Sequence, residues 1–135
     1  MKRQIDISTF MYVFIIVIIY FLGTAGLAAQ GFIDKDNFKN KIAKDIVTVE
    51  FWAEWNQMNQ FNELNKLKGC NVYRIDIMSS MDIQNDYNVT AIPTVIVFDN
   101  GIEKERFNPN VMFKLDADKK IVQNSIDTIR LNKFQ

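Results

Sequence analysis

Two kinds of hydrophobic spacing divide this chain. From Phe10 to Leu22 the run FMYVFIIVIIYFL contains no charged or amide side chain, and GTAGLAA carries it on to Ala29. Counted from Ser8, that is about 20 residues, the length a helix needs to cross a hydrocarbon core roughly 30 Å thick. A helix of a soluble domain would show a polar face, and this one would be apolar all round. The expectation is one N-terminal transmembrane helix in residues 1–30, with residues 8–29 in the membrane and Tyr12 and Tyr20 toward its two interfaces. Lys2 and Arg3 ahead of the run and Gly26-Leu27-Ala28 near its end also fit a cleaved signal peptide, the rival reading. The two basic residues favour a cytoplasmic N-terminus, and hence a single-pass protein whose domain lies on the non-cytoplasmic side.

From residue 31 onward the spacing becomes that of a packed domain. Asp34 to Asn37 offer N-cap side chains, and Phe38 and Ile42, four apart, give the helix they start one apolar face. Ile46 to Trp52, IVTVEFW, is β-branched and aromatic almost throughout, which predicts a central strand covered on both faces. Met58, Phe61, Leu64 and Leu67 recur every three residues with Glu63, Lys66 and Lys68 between them, read as an amphipathic helix ending at Gly69. Val72, Tyr73, Ile75 and Ile77 make a second strand, so strand, helix and strand form a right-handed parallel crossover. A short helix over Met81 to Tyr87 follows. Thr94 to Phe98 and Ile102 to Phe107 flank Asn100-Gly101, the pair a type I′ hairpin turn prefers because both central residues need positive φ. The second of these strands is charged and one-sided, as an exposed edge would be. Asp116 or Asp118 can cap a last helix with Val122, Ile126 and Ile129 on one stripe. The class is α/β, in the order helix, βαβ, short helix, ββα, with one domain over residues 31–135 after the anchor.

Charge and composition narrow the chemistry. Sixteen Lys and Arg balance sixteen Asp and Glu in 135 residues, so no net field draws nucleic acid. There is no histidine, and Cys70 is the only cysteine. An internal disulfide, the usual zinc sets and His-based triads are therefore unavailable, and no metal, cofactor or small-molecule substrate is expected.

The order of elements and several local strings resemble thioredoxin from about Ile33 to Lys133. Phe51-Trp52-Ala53-Glu54-Trp55 is similar to the segment that leads into the family's active site. Ile92-Pro93-Thr94 resembles its cis-proline segment, and Phe98-Asp99-Asn100-Gly101 its hairpin. The resemblance implies a thioredoxin-like fold, a mixed sheet with helices on both faces. Where the family continues Cys-Gly-Pro-Cys, this chain reads Asn56-Gln57-Met58-Asn59. Disulfide exchange needs one thiolate to attack and a second thiol to resolve the mixed disulfide, and asparagine is neither. The motif is read as degenerate, with no catalytic residue, and the chain as redox-inactive and not an enzyme.

The resemblance further implies that Glu50 stands where the family keeps a buried acid and Arg74 where it keeps a lysine near that acid. Without a thiol to serve, they are expected to be a buried structural pair. Trp55, Gln57, Met58, Ile92 and Pro93 are the candidate protein-binding patch. The leading expectation is a structural or accessory subunit that binds protein partners in a larger membrane-associated assembly, such as a respiratory complex or a virion. The alternative is a non-catalytic chaperone or assembly factor using the former peptide groove. A minor alternative is a thiol-disulfide oxidoreductase acting through Cys70.

Overall fold

The computed structural model describes residues 31–135. The anchor expected in residues 1–30 lies outside the described residues, among which no helix is long and apolar enough to cross a membrane. Five strands form one sheet in the order β1-β3-β2-β4-β5, where β1 is Gly31–Ile33, β2 Ile46–Trp52, β3 Asn71–Asp76, β4 Thr94–Asp99 and β5 Ile102–Phe107. β1 and β2 both run parallel to β3, whereas β4 is antiparallel to β2 and β5 to β4. The sheet is thus the mixed sheet that the resemblance implied.

β2 is central, and its side chains alternate between two apolar layers. Val47, Val49 and Phe51 join Phe38 and Ile42 of helix α1 (Lys35–Ile42) and Ile83 of helix α2 (Met81–Asp86) on one face. Ile46 points to the other face, where Val95 and Val97 of β4 meet Phe61, Leu64 and Leu67 together with Val122 and Ile126 of helix α3 (Lys119–Asn132). With both faces covered, a strand has no polar side, which is why IVTVEFW reads as nearly continuous apolar sequence.

Local chemistry starts and stops these elements. The Asp34 carboxylate accepts from the backbone N–H groups of Asp36 and Asn37, both at 3.0 Å, while the Asn37 side-chain oxygen accepts from Asp34 N–H at 3.1 Å. This reciprocal capping box satisfies donors that the first turn of α1 leaves open. Asp118 caps α3 through Ile121 N–H. Asn100 and Gly101 take φ of 49° and 81°, and Asp99 pairs directly with Ile102 across the two-residue turn. β5 is a charged edge strand, and its register with β4 shifts between Val97 and Phe98.

Two expectations need correction. β1 is a three-residue edge strand that the reading of the chain did not contain. Its pairing to β3 owes more to the neighbour than to any period of its own. The segment from 58 to 67 is not one amphipathic helix: the 3₁₀ turn Glu54–Asn59 ends at its start, extended backbone at Gln60 follows, and a second 3₁₀ turn spans Leu64–Lys66. Only Met58 and Leu64 of the four spaced residues lie in these turns; Phe61 and Leu67 lie outside them, so the stripe does not come from one helix. Phe61, Leu64 and Leu67 are buried, but Met58 is 95% exposed and takes no part in the stripe.

Candidate functional site

Strand directions bring three loops to one end of the sheet. β1, β2 and β3 share their C-terminal ends there, so the 3₁₀ turn Glu54–Asn59 emerges from β2 at this pole. β4 begins at the same pole, because Thr94 pairs with Phe51, and it is preceded by the cis peptide between Ile92 and Pro93. β5 ends there as well, with Phe107 opposite Val95, and leads into residues 108–117.

Asn56 joins all three loops. Its side-chain amide donates to the Ile92 carbonyl at 3.2 Å and to the Phe113 carbonyl at 3.0 Å, and its oxygen accepts from the Asn59 side-chain amide at 2.8 Å. Both amide hydrogens and the carbonyl oxygen are therefore used, in a side chain only 7% exposed. The two asparagines at the ends of the Asn56-Gln57-Met58-Asn59 stretch thus bond to each other.

The candidate patch is only partly on the surface. Trp55, Gln57 and Met58 are exposed, whereas Ile92 and Pro93 are buried. Ile92 belongs to the apolar layer under α1 and α2, so its side chain points into the core, away from the groove. Its place beside Trp55 is taken by residues that the sequence reading missed. Phe113 lies edge-on to Trp55 with ring centroids 6.1 Å apart, and Val111 and Met112 are strongly exposed beside it. The only signal available was the apolar triplet Val111-Met112-Phe113 in an otherwise polar stretch.

Residues 108–117 form a small lobe. Pro109 and Leu115 make a single bridge, Asn110 N–H donates to the Lys114 carbonyl at 2.8 Å, and the Asn110 side chain accepts from Met112 N–H at 2.9 Å. Phe113 sits at φ of 56°, a left-handed conformation that is unusual for an aromatic residue.

Beneath the pole, Glu50 and Arg74 face each other in register on β2 and β3. Arg74 Nη2 lies 2.6 Å and Nε 2.7 Å from Glu50 Oε2, and Phe61 N–H donates to Oε1 at 2.7 Å. Glu50 is fully buried and Arg74 5% exposed. Burial pushes the Glu50 carboxyl above its ordinary value, opposed by the Phe61 N–H and by the Arg74 guanidinium. Arg74 also lies over the Phe32 ring, 6.0 Å from its centroid.

Cys70 occupies the opposite pole, next to Asn71, which pairs with Val47 at the start of β2. Thr48 Oγ1 donates to its sulfur at 3.4 Å. Burial raises the thiol above its usual pKa; the Thr48 hydrogen bond opposes this and Asp127 adds to it. Among the described residues, no group of three or more His, Cys, Asp or Glu could hold a metal ion.

Comparison with known proteins places this architecture. The thioredoxin of Mycoplasma genitalium is 33% identical over 70 residues, spanning 47% of this chain and 69% of its own. That of Chlamydia trachomatis is 32% identical over 80 residues, 55% of this chain and 78% of its own. Solved thioredoxins share the fold: one from Halobacterium salinarum superposes with a TM-score of 0.62 over 78% of this chain and 95% of its own, at 21% identity. One from Malassezia sympodialis gives 0.59 over 74% and 90%, at 23% identity. These relatives overturn the expectation that the chain is not an enzyme, since they bear the name of an oxidoreductase family. That expectation rested on the four residues Asn56 to Asn59 alone, whereas these relatives match the chain over 70 and 80 residues. With the family model for thioredoxin matching residues 30–123, the chain belongs to the thioredoxin family.

Proposed function

We propose that this thioredoxin-family domain binds a protein partner through the pole where the Glu54–Asn59 turn and the 108–117 lobe meet, as an accessory subunit of a membrane-associated assembly. The observation that carries the reading is the exposed apolar face at that pole. Trp55 is 61% exposed, Met58 95% and Met112 76%, beside the half-exposed Phe113 ring. Side chains of this kind are enriched where proteins meet, and a thioether adapts to irregular surfaces. The apolar run Phe10–Leu22 supports the membrane part of the proposal, with the domain on the non-cytoplasmic side. Transient use of the same face by a chaperone or assembly factor would draw on the same residues.

The test places a photo-crosslinking residue at position 58, and another at position 104 on β5, in the full chain purified from membranes in mild detergent. A discrete protein adduct from position 58, absent from position 104 and lost in Trp55→Asp, is the expected outcome. Adducts of equal yield from both positions would sink the proposal.

A second reading is favoured by the names of the relatives, namely thiol-dependent chemistry. In this chain it would have to run through Cys70, the one thiol. Turnover that disappears in Cys70→Ser would establish it.

A further inference from the structure

We propose that the rim of the sheet opposite the site rests on the surface of a lipid bilayer, so that the domain stands on the membrane with its protein-binding pole turned away. This deepens the membrane part of the proposed function and rests on it. β1 covers only part of the sheet's height. Gly31 pairs with Tyr73, level with Val49, so the rows Thr48–Val72 and Val47–Asn71 lie between Gly31 and the far rim. At about 3.3 Å per residue these rows add about 7 Å. Ala29, the last residue of the apolar run, is two positions ahead of Gly31 in the sequence, and two residues reach at most about 7 Å. With the run ending at the hydrocarbon boundary, the rim cannot stand clear of the headgroup layer, which is about 5–7 Å deep on each side.

The rim carries the side chains that such a layer takes. Ile46 at the start of β2 pairs with Asp99 at the end of β4, and Asn100 N–H donates to the Asp45 carbonyl at 3.0 Å, so the hairpin turn lies there. α1 ends beside that turn, with Ala43 against Gly101, and Lys133 Nζ, 2.6 Å from Asp99 Oδ1, brings the end of α3 to the same level. Ile102 and Leu131 are strongly exposed at these ends, and Phe134 is 84% exposed. Lys41 and Lys44 are exposed at the end of α1, and Lys41 Nζ lies 5.6 Å over the ring of Tyr73, the residue that pairs with Gly31. The acids Asp99, Asp127 and Glu103 are paired with Lys133, Arg130 and Arg106, which leaves Asp45 against Lys41 and Lys44. Aromatic and aliphatic side chains set among lysines suit the boundary between headgroups and acyl chains, and the lysines favour anionic headgroups.

The test uses the full chain in vesicles of phosphatidylcholine and phosphatidylglycerol. Cys70→Ser removes the native thiol, and a bimane label is attached through Ala43→Cys, Gln135→Cys or Met112→Cys. Positions 43 and 135 follow α1 and α3, which cover opposite faces of the sheet, and position 112 marks the site's pole. Quenching by a lipid that carries a spin label on its headgroup should be several-fold stronger at 43 and 135 than at 112. Lys41→Glu with Lys44→Glu should lower the quenching at 135, and Phe134→Ser should lower it at 43, since each weakens the contact at a distance from the label. Equal quenching at the three positions would describe a domain that tumbles on its tether, and would overturn the proposal. Quenching confined to position 43 would also overturn it, because the edge along β1 would then be the part in contact. So would quenching at 43 and 135 that none of these substitutions lowers. Flotation keeps the two readings apart: a chain that floats with the vesicles but is quenched equally everywhere loses this inference alone, whereas a chain that does not float loses the anchor as well.

Discussion

Glu50 and Arg74 show what a buried ionic pair asks of its neighbours. Once Arg74 is truncated, the Glu50 carboxylate is left in a low-dielectric layer with only the Phe61 N–H, and breaking such a pair costs about 3–5 kcal/mol. Arg74→Ala should lower stability by about that much in denaturant unfolding, and Glu50→Gln, which keeps the shape, by less. The double variant should be less destabilised than the sum of the singles, since each single change strands the other partner. Additivity within a few tenths of a kcal/mol would show that the two groups act independently. The pH dependence follows from the raised Glu50 pKa. The folded state holds this proton more tightly than the unfolded chain, so the contribution is complete below the ordinary value of 4.5 and is lost as pH rises through the raised folded value. Glu50→Gln should flatten that part of the stability profile. Cys70 gives a second test at this scale. With its thiol pushed up by burial, little thiolate is present at neutral pH, and alkylation by iodoacetamide should be slow in the folded protein and fast once it is unfolded. Equal rates in the two states would mean that the sulfur is not shielded.

Among the elements, the β4–β5 hairpin depends on its turn. Gly101 has φ of 81°, and a methyl group there would meet Ala43 Cα and Ile42 O at ordinary contact distances of 3.8 and 3.9 Å. The cost of Gly101→Ala is therefore conformational, about 1–2 kcal/mol for a left-handed non-glycine residue, and a thermal melt should show it without loss of the fold. The hairpin, the central strand and the capped helices could be read from the chain because each has its cause within a few residues: Asn100-Gly101 for the turn, Asp34 with Asn37 for the cap, β-branched side chains for β2. β1 could not, because three residues carry no period and its partner β3 lies some forty positions away. The segment 58–67 misled for a different reason. Spacing by three satisfies an α-helical stripe loosely, and here the chain is broken by extended backbone at Gln60 and Leu67, which still lets Phe61, Leu64 and Leu67 reach one apolar layer. The site was legible in part. The loops that meet at the pole follow from strand order, but the covering lobe and the role of Asn56 depend on contacts between residues 56, 92 and 113 that no local pattern encodes.

For the molecule as a whole, the apolar run Phe10–Leu22 makes a prediction that extraction tests directly. The full chain should remain in the pellet after alkaline carbonate treatment of membranes, and its release into the supernatant would count against an anchor. The direction of β1 adds a mechanical corollary. Because β1 runs parallel to β3, its C-terminal residue Ile33 faces the site's pole and its first residue, Gly31, is the end of the strand directed away from it. If a force holds Gly31 and a partner holds the site, tension passes along the strand axes. The hydrogen bonds between β1 and β3 are then loaded in shear, all sharing the force, instead of being peeled apart one after another. A strand of only three residues can in this way act as a strain-bearing coupling between a tether and a cargo.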